Sequence, residues 1–145
     1  MFIQIQKMSE TAKVPTQGSD KAAGYDLYAD ITEPVTIAPF SVAKIPTGIA
    51  MAIPSDHFGA IYARSGLALK QGLRPAQGTA VIDADYRGQI FVPLYNQTDT
   101  HKTVAPQERI AQIVFQQYSQ VQFTVTDQLD DTERGNGGFG STGTH

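Results

Sequence analysis

The chain has 145 residues, is 41% hydrophobic and only 17% charged, and carries a formal net charge of −3. That is enough apolar mass for a single domain burying roughly 68–70% of its unfolded surface, and too much for a wholly disordered chain. Cysteine is absent, no basic stripe faces a nucleic acid, and neither a secretion signal nor a run of ~20 apolar residues is found, which excludes disulfide and thiolate chemistry, duplex binding and a membrane helix, and leads us to expect a soluble cytoplasmic domain.

Isoleucine, valine and threonine far outnumber leucine, a balance that favours pleated sheet. Prolines and glycines recur roughly every 8–12 residues, the rhythm of an all-β sandwich or barrel. In chain order, Ile3 and Ile5 alternate with Gln4 and Gln6. Ile49, Met51 and Ile53 alternate with alanines between Thr47-Gly48 and Pro54. Both read as strands with one buried face. Ser65 to Gly72 has a capping serine, two leucines and a closing glycine, and reads as one short helix. Ala80-Val81-Ile82 and Gln89 to Val92 are apolar strands flanking Asp83 to Gly88, a segment with the residues of a hairpin turn. Ile90 to Tyr95 suits an interior strand, although Pro93 predicts an edge or a bulge there. Arg109 to Gln116 reads as a second interior strand, and Val121, Phe123 and Val125 as a further half-buried one. An acidic stretch, Asp127 to Glu133, then precedes a glycine-rich one, Gly135 to Thr144. The expected organisation is a β domain over 1–126 and a solvated linker with a mobile arm over 127–145.

Three segments have residues suited to chemistry. Arg64-Ser65-Gly66 opens the helix. It reads either as a surface cap or as an anion site made of free amides, a hydroxyl and a guanidinium. Asp83-Ala84-Asp85-Tyr86-Arg87-Gly88 is either a turn or a carboxylate pair serving a metal-bound diphosphate or an attacking water. Arg134-Gly135-Asn136-Gly137-Gly138-Phe139-Gly140-Ser141 is either a disordered tail or a nest of backbone amides for phosphate, with an arginine fork and an aromatic ring that stacks on a base. His57, His101 and His145 lack ligand spacing, and no Gly-x-Ser-x-Gly elbow is present.

Five segments in order resemble the motifs of the trimeric dUTPase family: Ala23-Gly24-Tyr25-Asp26-Leu27, Arg64-Ser65-Gly66-Leu67-Ala68, Ile82 to Gly88, Glu108-Arg109-Ile110-Ala111-Gln112-Ile113, and Arg134 to Ser141. The resemblance implies a distorted β jelly roll with one short helix, assembled as a homotrimer. Its active sites would lie between subunits, each closed by a partner's glycine-rich C-terminal arm. The implied reaction is hydrolysis of dUTP to dUMP and pyrophosphate with Mg²⁺ held mainly by the triphosphate, which limits uracil in DNA and supplies dUMP for dTMP synthesis. By the same resemblance Asp83 binds the sugar 3′-hydroxyl and orients the attacking water. Tyr86 packs under the deoxyribose and excludes a 2′-hydroxyl. Arg64, Ser65, Gly66 and Gln112 hold phosphates, and Asp26 holds waters of the metal shell. Arg134 reaches the γ-phosphate, Gly138 and Gly140 belong to the amide nest, Ser141 adds a phosphate contact, and Phe139 closes over the uracil. Gln77 and Ala80 belong to the hairpin that reads uracil, and stand where the family commonly has asparagine or glycine, and glycine.

Two other readings compete. A dCTP deaminase shares the fold but needs a glutamate on the strand after the third motif, and Phe91 to Asn96 holds no carboxylate. A non-catalytic β module that binds a protein partner would be favoured by loss of a motif, and all five are present; regulation through a protein contact stays open beside catalysis.

Overall fold

The computed structural model describes residues 1–138. The expectations for Phe139, Gly140 and Ser141 fall outside the described residues. In chain order the elements are β1 (Gln4–Lys7), β2 (Thr16–Gln17), β3 (Tyr25–Tyr28), β4 (Val35–Ile37), β5 (Val42–Pro46), β6 (Ile49–Ala52), β7 (His57–Tyr62), α1 (Ser65–Gln71), β8 (Leu73–Pro75), β9 (Ala80–Ile82), β10 (Phe91–Asn96), β11 (Lys102–Val104) and β12 (Arg109–Gln117). The largest sheet has the order β2-β3-β12-β7-β9; a second runs β5-β10-β8, and β1-β6 and β11-β4 form two ladders. All the pairings are antiparallel. The result is the expected all-β, jelly-roll-like fold with one short helix, left open rather than closed as a barrel. No described helix is long and apolar enough to cross a membrane.

The inner faces meet in one core. Leu27 of β3, Ile45 of β5, Ile61 of β7, Leu73 of β8, Val92 and Leu94 of β10, and Ile113 of β12 are all essentially without solvent contact. Burying such side chains stabilises the fold by about 1.5–3 kcal/mol each. A polar hub locks the far end. The buried Asn96 amide donates to the carbonyls of Ile37, Ala38 and Thr100 and its Oδ1 accepts from Thr98, so little buried polarity is left unpaired.

The expected helix is present, with one change at its start. Arg64 occupies the N-cap position and makes no side-chain cap bond; Ser65 is already the first helical residue. The capping serine is therefore corrected to an extended arginine whose side chain is engaged elsewhere. Gly72 closes the helix in the left-handed region at φ 68°, donating to the Ala68 carbonyl. A Cβ there would also come within 2.3 Å of Thr98, so glycine is required twice over.

Three other expectations fail for identifiable reasons. Asp83 to Gly88 is not a hairpin turn, because β9 pairs with β7 and β10 pairs with β5 and β8; the segment crosses between sheets. Pro93 lies in the central strand of its sheet, not at an edge. Its carbonyl accepts from Ala76, just beyond the end of β8. In an antiparallel ladder a residue's N–H and C=O point to the same side, so the bond that proline cannot make is the reciprocal one to the Ala76 carbonyl, and the ladder with β8 ends at this pair. Residues 121–125 form no strand, and Phe123 and Val125 are 93% and 96% exposed. Among the described residues they pair with none of the edge strands, and alternation alone supplies no hydrogen-bond partner.

Candidate active site

The first group of site residues is built on neighbouring strands. Asp26 of β3, Gln112 of β12 and Tyr62 of β7 stand opposite one another in register, so their side chains leave the same face of the sheet. Two residues after Tyr62 the chain turns into α1, which brings Arg64 beside Asp26. Arg64 Nε donates to Asp26 Oδ1 at 2.7 Å, and Arg109 Nη1 donates to Asp26 Oδ2 at 3.2 Å. Arg64 Nη1 also donates to the Arg109 carbonyl at 3.3 Å. Asp26 is only 8% exposed, and burial of this carboxylate is offset by two guanidinium partners. Gln112 Nε2 donates to the Ala63 carbonyl at 2.9 Å, which ties β12 to the entry of the helix. The opposite end of that amide rests over Gly24, where a Cβ would lie 2.3 Å from Gln112 Oε1.

The first backbone bond of α1 runs from Ala68 N to Arg64 O. The amides of Ser65, Gly66 and Leu67 thus have no partner within the helix. Ser65 and Gly66 are exposed, and nothing lies within 4 Å of a Cβ built at Gly66. A concave surface of about 320 Å³ is lined by Arg64, Gly66, Lys70, Glu108 and Arg109, among others. Three cations against the single carboxylate of Glu108, together with the free amides, leave it net positive and suited to a polyanion.

The second group is elsewhere. Asp83, Tyr86, Gln77, Ala80, Gln89 and Lys44 line a cavity of about 270 Å³ where β9 leaves its sheet. The Asp83 carboxylate takes no hydrogen bond from the described residues and is exposed. The segment around it is tightly tied: Tyr86 N donates to Asp83 O, Tyr86 Oη to Gln89 O, and Arg87 Nη1 to Ala84 O and Tyr86 O. Gln77 lies in the turn closed by Gly78 N donating to Pro75 O.

Arg134 and Gly138 join neither group. From Tyr118 onward the described residues form no strand or helix, and the last backbone bond to the body is Tyr118 N to Asp56 O. Arg134 is exposed and, among the described residues, donates only to the nearby Gly137 carbonyl. The Asp56 carboxyl is held below its ordinary range, chiefly by its 2.7 Å hydrogen bond with His57. Neither residue lines the two cavities. No described cluster of His, Asp and Glu could by itself hold a metal ion.

The two groups cannot meet within one chain. Ile82 pairs with Gly59 and Tyr62 with Gln112, and β3 and β9 are separated by β12 and β7. Three strand spacings and about four residue rises put Asp83 on the order of 20 Å from Asp26.

A model of the dUTPase family matches residues 10–143. The chain belongs to the dUTPase family. Deoxyuridine 5′-triphosphate nucleotidohydrolase of Desulfitobacterium hafniense (strain DSM 10664 / DCB-2) is 46% identical over 138 residues, covering 94% of this chain and 91% of that one. The protein of the same name from Oryza sativa subsp. japonica is 42% identical over 142 residues, covering 98% of this chain and 81% of its own. The solved structure of Staphylococcus bacteriophage 80alpha dUTPase with dUPNHPP superposes at a TM-score of 0.89, with 26% identity and 99% of each chain covered. Two residues beside the candidate site escape a reading by motif alone. Arg109 lies inside the fourth motif, yet only the β3–β12 register shows that it reaches Asp26. Gly88 ends the third motif, and only the structure shows that a Cβ there would meet the Tyr86 ring.

Proposed function

We propose that the chain hydrolyses dUTP to dUMP and pyrophosphate, with Asp83 as the base that activates water at the α-phosphorus. The observation that carries this reading is a carboxylate, Asp83, that has no hydrogen-bond partner among the described residues and shares a cavity with Tyr86 in a chain of the dUTPase family. A hydrolysis without a protein nucleophile needs a carboxylate free to take a proton from water. Tyr86 offers a flat face to the deoxyribose, leaving no room for a 2′-hydroxyl. Arg64, the amides and hydroxyl of Ser65 and Gly66, and Gln112 neutralise the outer phosphates, where charge develops on the leaving pyrophosphate.

Asp83 must act on a phosphorus whose neighbouring phosphates Arg64 holds. Adjacent phosphates share an oxygen, so both residues must converge on one small group. A separation on the order of 20 Å within the chain is too large for that, and it supports an assembly in which Asp83 of one copy faces Arg64 of another. A homotrimer with three sites between subunits is the arrangement proposed. The segment 127–145 would close each site over the body 1–126, with Arg134 on the γ-phosphate, Gly138, Gly140 and Ser141 around phosphate oxygens and Phe139 over the uracil. Closure excludes water and opening releases product.

The residues fit a Mg²⁺ ion held mainly by the triphosphate. Both Asp26 oxygens accept from arginines, yet an ionised carboxylate keeps further lone pairs, so Asp26 suits waters of a metal shell better than direct ligation. When bound, the ion would offset triphosphate charge. Hydrolysis in ¹⁸O-water tests the bond assignment: label in dUMP and none in pyrophosphate is expected, and label in pyrophosphate or release of dUDP would overturn it.

A further inference from the structure

We propose that Gly88 is a positioning residue for sugar selection: it leaves empty the space in which the Tyr86 ring lies, and acts on the reaction only through that ring. This rests on the reading of Tyr86 as the floor under the deoxyribose.

A Cβ at Gly88 would stand 2.5 Å from Tyr86 Oη, 2.7 Å from Cζ and 3.0 Å from Cε2. Carbon atoms in contact keep about 3.5–4.0 Å, so the ring would have to retreat by about 1 Å. Backbone conformation does not explain the glycine, because Gly88 is not among the residues with positive φ. The ring itself does. It folds back over residue 88 to donate from Oη to the Gln89 carbonyl at 3.0 Å. The rest of the segment cannot follow a displaced ring, because Arg87 Nη1 holds the carbonyls of Ala84 and Tyr86 at 2.7 and 3.0 Å and Tyr86 N donates to Asp83 O. Asp83 and Tyr86 are therefore set by one tied loop, and Gly88 governs only the ring. The atoms in the way are the far end of a side chain that is 42% exposed. A methyl at residue 88 thus has little effect on folding while moving a surface that touches substrate.

The test measures kcat/KM for dUTP and for UTP in the parent, Gly88→Ala, Tyr86→Ala, the double variant and Tyr86→Phe, each in its native assembly. Displacing a contact surface by about 1 Å should lower the dUTP-to-UTP preference of Gly88→Ala on the order of 10–100-fold. Tyr86→Phe, which loses the bond to Gln89, should show a smaller loss in the same direction. In the Tyr86→Ala background, Gly88→Ala should add nothing, since the group it acts through is gone. Full rejection of UTP by Gly88→Ala while Tyr86→Ala relaxes it overturns the proposal and leaves the sugar-floor reading intact. Full rejection by Tyr86→Ala overturns that reading and the proposal with it. Should Gly88→Ala fail to fold, unaltered preference in Tyr86→Phe is the overturning result, and reduced preference the supporting one.

Discussion

Replacing Asp26 by alanine removes the carboxylate that joins β3 to the entry of α1, and the structure sets the size of the loss. The bond from Arg64 at 2.7 Å joins two largely buried groups. Charge-assisted bonds of that kind contribute about 1.5–3 kcal/mol. The Arg109 bond is longer, 3.2 Å, and its side chain is 51% exposed, so solvent screening limits it to about 0–1 kcal/mol. Together Asp26→Ala should cost roughly 2–4 kcal/mol per protomer, or about 5–15 °C in Tm for a domain of this size. Arg109→Ala should cost under about 1 kcal/mol, with a difference that fades at high salt. The assay is urea unfolding at one fixed protomer concentration, since assembly makes apparent stability depend on it, with a shift in midpoint at unchanged m-value. Asp26→Ala within about 0.5 kcal/mol of the parent, or Arg109→Ala costing as much as Asp26→Ala, would refute this division of the energy.

Asp83→Asn should leave the unfolding midpoint within about 0.5 kcal/mol of the parent, because the exposed carboxylate has no hydrogen-bond partner among the described residues, while kcat falls about 10²–10⁴-fold; a variant keeping a tenth of parental turnover would mean that another group activates the water. Removing residues 134–145 should leave the midpoint and the sedimentation of the assembly unchanged and abolish most turnover. Loss of assembly would show that these residues do more than close a site. Preference for dUTP over dCTP should be strong, roughly 10⁴-fold if the Gln77–Ala80 turn pairs with the base edge, because a mispaired base leaves buried polar groups unsatisfied. Equal kcat/KM for the two would show that the pocket does not read uracil.

The elements legible in the sequence are those whose partners are implied by local pattern. Ser65 to Gln71 carries its own stop signal in Gly72, and Arg109–Gln117 is apolar enough to be the centre of a sheet, as it is. Where the outcome depends on which distant edge is free, local pattern misleads. Val121 to Val125 alternates as cleanly as β1, yet β1 finds β6 and residues 121–125 pair with no strand among the described residues. Asp83 to Gly88 has turn residues between two strands, and only the sheet order reveals that those strands part company. The site follows the same rule. Asp26, Arg64 and Gln112 stand in separate motifs that the β3–β12–β7 register brings together. The bond from Arg109 to Asp26 and the closeness of Gly88 to the Tyr86 ring come from cross-strand and ring geometry that no spacing in the sequence encodes.

The central claim is that one active site takes Asp83 from one copy and Arg64 from another. Asp83→Asn and Arg64→Gln chains, each nearly inactive alone, can be mixed in equal amounts, unfolded and refolded so that subunits reassort. With random assortment in a closed ring, about one site in four receives an intact Asp83 and an intact Arg64 from different chains. The mixture should therefore regain about a quarter of parental dUTP hydrolysis. Activity no higher than that of the two variants measured separately, with mixed assemblies verified by mass, would contradict the account.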